Sequence, residues 1–224
     1  MSSPVIAIDG PAGSGKSTTA KAVAERLGIS HVESGALYRA VTLAGLDAEV
    51  PLQGQRLVAL ARSLPIRMDL TDDGFVTEIA GVDVSREIRA ERVTAKVSEV
   101  SAIREVRDWV NEEVRAAVAR HPRGAVLEGR DIGTIVFPDA VLKIFLTARP
   151  AERARRRLLQ DGRPSDGEAI GLEEAELARR DHLDSTRDVA PLRQAPDAIP
   201  VDTSDRTFDE QVEYIVSLAR KHFS

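Results

Sequence analysis

The stretch DGPAGSGKST occupies residues 9–18 and directly follows the apolar run VIAI at residues 5–8. Residues 10–17 match the pattern G-x-x-x-x-G-K-[ST] at every fixed position. The pattern lies between a predicted buried strand and a predicted helix, KSTTAKAVAERLG, that ends at Gly28. Small residues let backbone N–H groups surround phosphates, and the dipole of the following helix favours their negative charge. The stretch therefore predicts a P-loop that binds a nucleoside triphosphate.

Two side chains of the loop have predicted roles of their own. We expect Lys16 to reach the β and γ phosphates of the nucleotide and the Ser17 hydroxyl to ligate Mg²⁺. A tight turn between a strand and a helix would require neither residue. The residues predicted to bind ATP are those of the loop itself: Gly10, Pro11, Ala12, Gly13, Ser14, Gly15, Lys16, Ser17 and Thr18.

Four more short runs predict further strands of the same sheet. They are ISHVES at residues 29–34, AVLEG at 125–129, VLKIFLT at 141–147 and AIPV at 198–201. Each of the last three is followed by a segment for which we predict a helix. This alternation predicts an α/β fold with a doubly wound, five-stranded parallel sheet.

The pattern changes between residues 51 and 88. IRMDL, FVTEI and VDV are short alternating segments separated by TDDG and AG, which predicts a small antiparallel sheet at about residues 64–88. A long helical region follows to about residue 120, and we expect a break near Ser101. We interpret this part of the chain as a subdomain inserted into the main sheet.

The segment at residues 152–184 is rich in charged residues. Its sequence, ERARRRLLQDGRPSDGEAIGLEEAELARRDHLD, predicts two charged helices on either side of a hinge that contains Gly, Pro and Asp. We expect this hinged segment and the inserted subdomain to close over the site, because a bound nucleoside triphosphate must be protected from water.

Composition excludes several classes of protein. The longest apolar runs are too short to span a membrane, and the first ten residues lack a secretory signal, so we expect a cytoplasmic protein. The absence of cysteine excludes disulfides, thiolate metal sites and cysteine nucleophiles. The net charge of −5 argues against a general nucleic-acid binder. We therefore expect small-molecule partners, with no nucleic acid or membrane, and a monomer.

The remaining motifs favour a small-molecule kinase among nucleotide-binding proteins. The guanine-binding pattern N-K-x-D of GTPases is absent, and a motor-type ATPase would need a longer chain. A kinase needs a second anionic pocket for its acceptor, and only five of the 31 Lys and Arg residues are lysine. Arginine grips phosphate with two N–H groups, so arginines in loops after strands are candidates: Arg39, Arg130, Arg180 and Arg187.

Seven segments together resemble the bacterial cytidylate kinases, a family of nucleoside monophosphate kinases. The segments are IDGPAGSGKST, ESGALYR, VDVSREIR, VSEVSAIREVR, EGRDIGTIVFPDA, KIFLTA and DHLDSTRDVAPL. The resemblance runs over essentially the whole chain and implies ATP-dependent phosphorylation of CMP and dCMP. One departure is Glu33-Ser34-Gly35, where the family usually has Asp-Ser-Gly. The resemblance also implies a core at residues 1–36 and 121–224, with a short lid at about 153–170, and an NMP-binding region at 37–120.

The resemblance assigns roles to individual residues of this chain. It implies that Arg39, Arg130 and Arg187 hold the acceptor phosphate, and that Ser98, Arg180 and Asp184 meet the ribose hydroxyls. It further implies that Ser34, Arg107 and Asp131 contact cytosine. Among the charged residues of the lid it points chiefly to Arg153 and Arg157 as contacts of the ATP phosphates. The residues predicted to assist transfer are Lys16, Arg130, Arg153, Arg157 and Arg187.

Phosphoryl transfer requires positioning and cations more than covalent chemistry, and an ionised phosphate acceptor needs no strong general base. The four histidines accordingly occur in no catalytic pattern. Three hypotheses stay open at this stage. The chain is an ATP:CMP phosphotransferase, a kinase of the same fold for another small acceptor, or a nucleotide-binding regulatory module without transfer activity.

Overall fold

The computed structural model describes residues 3–71 and 74–222. The strands within these residues are, in chain order, β1 (Val5–Asp9), β2 (Ser30–Glu33), β3 (Ile66–Thr71), β4 (Gly74–Ile79), β5 (Val82–Asp83), β6 (Ala125–Gly129), β7 (Leu142–Thr147) and β8 (Ile199–Asp202). The α-helices are α1 (Lys16–Leu27), α2 (Gly35–Asp47), α3 (Gly54–Ser63), α4 (Glu91–Thr94), α5 (Val97–Ser101), α6 (Arg104–Ala119), α7 (Pro150–Gln160), α8 (Gly167–Thr186) and α9 (Phe208–Arg220).

The main sheet is parallel, and its strands lie in the order β2-β6-β1-β7-β8. Its central strand β1 and the neighbouring β6 are buried at every position, as expected of strands covered on both faces. The five strands are the five predicted from the sequence, and the predicted α/β fold is confirmed. The P-loop follows β1 and therefore lies at the carboxyl edge of the sheet, where such folds bind ligands.

Helices cover both faces of this sheet. On one face α1 and α9 pack against Ile6, Ile8 and Ile144 of the strands. On the other face α2, α3 and α6 form a larger core with Ala7 and Leu127. The doubly wound arrangement predicted from the alternation of strands and helices is therefore confirmed.

The inserted segment contains the predicted antiparallel sheet. Its strands lie in the order β3-β4-β5, with Ile66 opposite Ile79 and Glu78 opposite Asp83. The predicted turn between the first two strands includes residues 72 and 73, which lie outside the described residues. β3 and β4 also contact α2, so the small sheet packs against the inserted helices.

The helical region after the small sheet is broken more often than predicted. The predicted break near Ser101 is present, and α6 follows it. Before the break, however, the chain forms a 3₁₀ turn (Glu87–Arg89) and the two short helices α4 and α5. The buried residues of this stretch are unevenly spaced, so one straight helix would not turn all of them toward the core. They are Ile88, Val93, Val97 and Val100.

The prediction of a helix after β6 is wrong. A single π-helical turn (Ile132–Val136) leads from β6 toward β7. Its sequence, IGTIV, combines a glycine with β-branched residues, which are weak helix formers, and Pro138 follows closely. The Asp9 carboxylate accepts hydrogen bonds from the N–H groups of Ile132 and Gly133 at 2.8 and 2.7 Å. The turn is thus fastened to the end of β1.

The two predicted charged helices and their hinge correspond to α7 and α8. Pro150 begins α7, where its missing N–H is not needed, and Asp166 caps α8 by accepting from the Ala169 N–H at 2.9 Å. The helices pack against each other and leave residues 161–166 as the connection. Among the described residues, no helix combines the length and apolar character needed to cross a bilayer.

Candidate functional site

In the loop between β1 and α1, two glycines occupy positions where the surrounding backbone leaves no room for a side chain. A Cβ on Gly10 would lie 2.1 Å from the carbonyl oxygen of Leu146. Gly13 has a φ of +72°, and a Cβ there would lie 3.0 Å from the Arg153 carbonyl oxygen. No side chain caps the start of α1, so its first N–H groups face outward toward a potential anion. The loop is therefore built as a phosphate cradle.

Lys16 is almost fully enclosed at the floor of this cradle. The residue is 5% exposed, and its ammonium donates a hydrogen bond to the Pro11 carbonyl oxygen at 2.6 Å. Burial, together with the nearby positive charge of Arg130, lowers the pKa of Lys16 to about 7. An anion bound in the cradle would favour the charged form of this group.

The Ser17 hydroxyl lies against an acidic partner that the sequence analysis did not single out. It donates a hydrogen bond to Oε1 of Glu128 at 2.8 Å. Glu128 belongs to β6 and is 6% exposed. Its position near the end of the strand next to β1 was the available signal, because strand ends meet at one edge of a parallel sheet.

A cavity of about 630 Å³ opens beside the loop. Its walls come from the P-loop, from α2 and the inserted helices, from the end of β6, and from α7 and α8. All the predicted site residues lie within the described part of the chain, and they line this cavity except for Gly10, Pro11, Ser14 and Arg153. The structure therefore brings the loop and the predicted acceptor residues to one space.

The three arginines predicted for an acceptor phosphate reach the cavity from different elements. Arg39 of α2 donates to the Ile88 carbonyl oxygen at 3.1 Å, and burial, with Arg180 nearby, lowers its pKa to about 10. Arg130 follows β6 and donates from Nε to Oδ2 of Asp184 at 2.8 Å. Arg187 directly follows α8. Three guanidinium groups around one space form a strongly anion-attracting wall.

The residues predicted to meet a ribose lie on two helices that face each other. Ser98 is in α5, and Arg180 and Asp184 are one turn apart in α8. Burial alone would raise the pKa of Asp184, but its ion pair and hydrogen bond with Arg130 outweigh this and lower it. The buried Nε of Arg180 has no hydrogen-bond partner among the described residues. A buried donor of this kind is suited to a ligand oxygen.

The predicted base contacts include a buried ion pair. Arg107 of α6 and Asp131 form a salt bridge, with side chains 2% and 6% exposed. Arg187 approaches the other oxygen of Asp131 at 3.6 Å. The Arg107 guanidinium also lies over the Tyr38 ring, 5.2 Å from its centroid. Asp131 is thus an acceptor held between two arginines at the inner end of the cavity.

Ser34 and its neighbour Glu33 contact different parts of the fold. The Ser34 hydroxyl donates to the Glu128 carbonyl oxygen at 2.9 Å, beside the cavity. Glu33, the residue that departs from the family pattern, pairs through both oxygens with Arg89 at 2.7 and 3.4 Å. Glu33 and Arg89 both line the cavity. Arg89 belongs to the 3₁₀ turn, so the pair joins β2 to the inserted region.

The arginines of α7 point in different directions. Arg153 is buried beneath the P-loop and donates to the Ala12 carbonyl oxygen at 2.9 Å. Arg156 and Arg157 line the cavity, and Arg156 is held by the carbonyl oxygen and hydroxyl of Thr203 at 2.8 Å each. Arg155 is exposed. The sequence did not reveal which of these residues point inward, because helix phase alone does not indicate the position of the P-loop.

The sequence of the chain matches a known protein family. The sequence profile of cytidylate kinases matches residues 6–221. A cytidylate kinase of Mycobacterium avium is 47% identical over 221 residues, which cover 97% of this chain and 95% of the relative. Those of Shouchella clausii and Chlorobaculum tepidum are each 45% identical, with 97% of this chain covered and 96% and 93% of the relatives.

Proposed function

The chain belongs to the cytidylate kinase family, and from this premise we propose how its cavity performs the family's reaction. It is a kinase that transfers the γ-phosphoryl group of ATP to the phosphate of CMP or dCMP. One observation carries the residue assignments: the P-loop lysine lines a single cavity together with arginines from α2, from the residue after β6, and from α8 and the residue after it. This convergence favours an anionic nucleotide acceptor over the two other hypotheses.

ATP binds with its phosphates in the P-loop, at the N-terminus of α1. The Lys16 ammonium has three N–H donors, so it keeps its hydrogen bond to the Pro11 carbonyl oxygen and directs the others to the β and γ phosphates. Negative charge spreads over the equatorial oxygens of the transferring group, and Lys16 stabilises it together with inward-facing arginines of α7. We assign that role in α7 to Arg156 and Arg157. Arg153, which lies outside the cavity lining, supports the loop instead.

Ser17 and Glu128 are suited to hold Mg²⁺ beside the phosphates. Their adjacent hydroxyl and carboxylate supply oxygen donors, which Mg²⁺ prefers, and leave further positions to phosphate oxygens and water. Bound Mg²⁺ would neutralise charge on the nucleotide phosphates. Glu128 would then exchange its hydrogen bond with Ser17 for this new contact.

CMP binds with its phosphate between Arg39, Arg130 and Arg187. These guanidinium groups attract the acceptor phosphate and orient one of its oxygens toward ATP. That oxygen is already ionised, so no side chain has to remove a proton from it. Ser98, Arg180 and Asp184 meet the ribose hydroxyls, and the unpartnered Nε of Arg180 supports this assignment.

Cytosine binds at the inner end of the cavity, against Ser34, Arg107 and Asp131. The Asp131 carboxylate accepts a hydrogen bond from the amino group at C4, as carboxylates do for cytosine. Arg107 donates to the O2 and N3 edge. The ion pair between Arg107 and Asp131 already holds both side chains in place before the base arrives.

The proposed binding sites also divide the chain into two parts. We propose a core at residues 1–36 and 121–224 with a lid at about 153–170, and an NMP-binding region at 37–120 that contains the small sheet. Closure of the lid and the small sheet would exclude water from the transfer. The monomeric state and the cytoplasmic location stay predictions from the sequence.

One assay tests the acceptor and the transfer together. ADP release is measured with CMP, dCMP, UMP, AMP and shikimate as acceptors, at fixed ATP and Mg²⁺. We expect the largest kcat/KM with CMP or dCMP and far smaller values with the others. Rapid turnover of shikimate or AMP would support a different acceptor, and bound nucleotide without turnover of any acceptor would support a regulatory module.

A further inference from the structure

The peptide unit that joins Pro11 to Ala12 is held from both sides. Its N–H donates a hydrogen bond to Oδ1 of Asp181 in α8 at 3.0 Å. Its carbonyl oxygen accepts from the ammonium of Lys16 at 2.6 Å. The N–H and C=O of one trans peptide point in opposite directions, so the carboxylate and the ammonium lie on opposite sides of it.

An arginine of α7 also holds this part of the loop. Arg153 of α7 donates through the same nitrogen, Nη1, to the Ala12 carbonyl oxygen at 2.9 Å and to Oδ2 of Asp181. Both backbone polar groups of Ala12 are therefore bonded to α7 and α8. Ala12 also packs in a small apolar cluster with Ala154 and Leu177, at 5%, 0% and 1% exposure. The orientation of the Pro11–Ala12 peptide is thus determined by these two helices.

From this arrangement we propose that Asp181 is a positioning residue for Lys16. Its carboxylate orients the Pro11–Ala12 peptide and polarises it, so that the Pro11 carbonyl oxygen holds the Lys16 ammonium at the phosphate cradle. Asp181 itself does not line the cavity. The inference rests on the proposed role of Lys16 in transfer. It also links α8, which carries Arg180 and Asp184, to the part of the site that binds ATP.

The chemistry of Asp181 explains why an amide would not replace it. Its two oxygens accept from two different donors, the Ala12 N–H and Arg153. Asparagine has nearly the same shape but offers only one accepting oxygen, and its NH₂ group would face one of these donors. Asp181→Asn therefore removes the charge and one of the two bonds with little change in volume.

A double-mutant cycle tests whether Asp181 acts through Lys16. The kcat and the KM values for ATP and CMP are measured for the unmodified enzyme, Asp181→Asn, Lys16→Ala and the double variant. We expect Asp181→Asn alone to lower kcat by about tenfold and to leave KM for CMP within about twofold. In the Lys16→Ala background the same change should lower kcat by less than about twofold.

The controls separate this role from a general structural one. Glu176→Gln alters an exposed residue of α8 that pairs with Arg179, and it should leave kcat unchanged. Glu173→Gln weakens the ion pair between α8 and Arg163 without changing a contact of the P-loop, so its effect on kcat should be the same in both Lys16 backgrounds. Asp181→Ala goes through the same cycle and provides the result if the asparagine variant does not fold.

The outcomes are distinguishable. An equal loss of kcat from Asp181→Asn in both backgrounds, or no loss in either, would overturn the inference and leave the proposed function intact. Near-normal kcat in Lys16→Ala alone would instead overturn the proposed role of Lys16, on which the inference depends. A loss of kcat confined to the background that retains Lys16 would support the inference about Asp181.

Discussion

Asp131 is 5% exposed, and its carboxylate lies between Arg107 and Arg187. A buried acceptor of this kind discriminates strongly, because a ligand without the matching donor leaves it facing another acceptor. Cytosine presents an amino group at C4, whereas uracil presents an oxygen there. At the scale of one residue, the preference for CMP over UMP should therefore depend mainly on Asp131.

Asp131→Asn should reduce this preference. The asparagine amide can donate toward O4 of uracil, so kcat/KM should fall with CMP and the ratio of the CMP to the UMP value should decrease by about tenfold or more. The measurement is steady-state kinetics with both acceptors. Asp139→Asn, at an exposed position a few residues further along the chain, is the matched control. An unchanged ratio in Asp131→Asn would remove the residue from base recognition and Arg107 with it.

Asp184→Ala tests the ribose assignment. If Asp184 accepts from a ribose hydroxyl, the change should reduce kcat/KM more with CMP than with dCMP, because the deoxy sugar lacks part of that contact. The difference should be roughly 1.5 to 3 kcal/mol in transition-state stabilisation. Loss of the Arg130 ion pair affects both substrates alike, so it does not enter the ratio. Equal losses would mean that Asp184 only orders Arg130.

At this scale the sequence predicts the roles of side chains that act within one local motif, but not the roles of side chains that depend on contacts between distant parts of the chain. Lys16 and Ser17 follow from the spacing within one loop. Arg153 is predicted to contact ATP, and in the structure its guanidinium donates to the Ala12 carbonyl oxygen, a contact that no local pattern indicates. The partner of the Ala12 N–H is Asp181, 169 positions away, and no local pattern links the two. Only the packing of α8 against the loop reveals this contact.

Among the elements, the π-helical turn after β6 depends on one carboxylate. Asp9 accepts from two N–H groups at the start of the turn, which begins directly after Asp131. Burial raises the pKa of Asp9 from its ordinary value of 3.8 to about 6, although the two backbone hydrogen bonds oppose the shift. The folded protein therefore binds this proton more tightly than the unfolded chain does. The stabilisation from the protonated group is present below about pH 4 and lost as the pH rises through about 6.

Asp9→Asn should remove this pH dependence. The free energy of unfolding of the unmodified protein, relative to that of the variant, should fall by about 2 kcal/mol between pH 4 and pH 7. Urea titrations at several pH values measure the difference. Asp139→Asn, at an exposed position, is the matched control. A difference between Asp9→Asn and the unmodified protein that is constant with pH would contradict the prediction.

The elements themselves were mostly predictable, with two instructive exceptions. The strands were found because buried parallel strands are short, continuous apolar runs. The sequence predicts a helix after β6, because the apolar content of this segment does not indicate that the Asp9 carboxylate holds it as a single turn. The sequence predicts one helix before Ser101, because the many charged residues of this stretch do not reveal which apolar residues are buried; Ile88 and Val93 are buried in two separate short elements.

Across the whole molecule, the ion pair between Glu33 and Arg89 joins the sheet to the inserted region. A comparable pair, Asp47 with Arg92 at 2.7 Å, joins α2 to α4 within that region. The Glu33 side chain is 19% exposed and the Asp47 side chain 56%, so water screens the second pair more. The first pair is thus the better candidate for holding the acceptor side of the cavity in place.

Glu33→Ala should raise KM for CMP by about three- to tenfold and leave KM for ATP within about twofold. The reason is that the inserted region, but not the P-loop, loses a contact with β2. Asp47→Ala is the matched control and should leave both KM values within about twofold. Equal effects of the two variants, or a rise in KM for ATP with Glu33→Ala, would contradict this assignment.

The larger apolar core has a consequence for how such a chain can be recombined. It contains Ala7 and Leu127 of the sheet together with Leu37, Leu57 and Trp109 of the inserted segment. A segment buried in this way is not a cassette, because its transplantation into a related enzyme would bring side chains shaped for a different sheet face. Chimeras that exchange residues 37–120 alone should therefore be poorly packed. A well-packed hybrid would need the facing residues of β1 and β6 from the same enzyme as the inserted segment. Substitutions in the sheet and in the inserted segment are therefore expected to occur together during evolution.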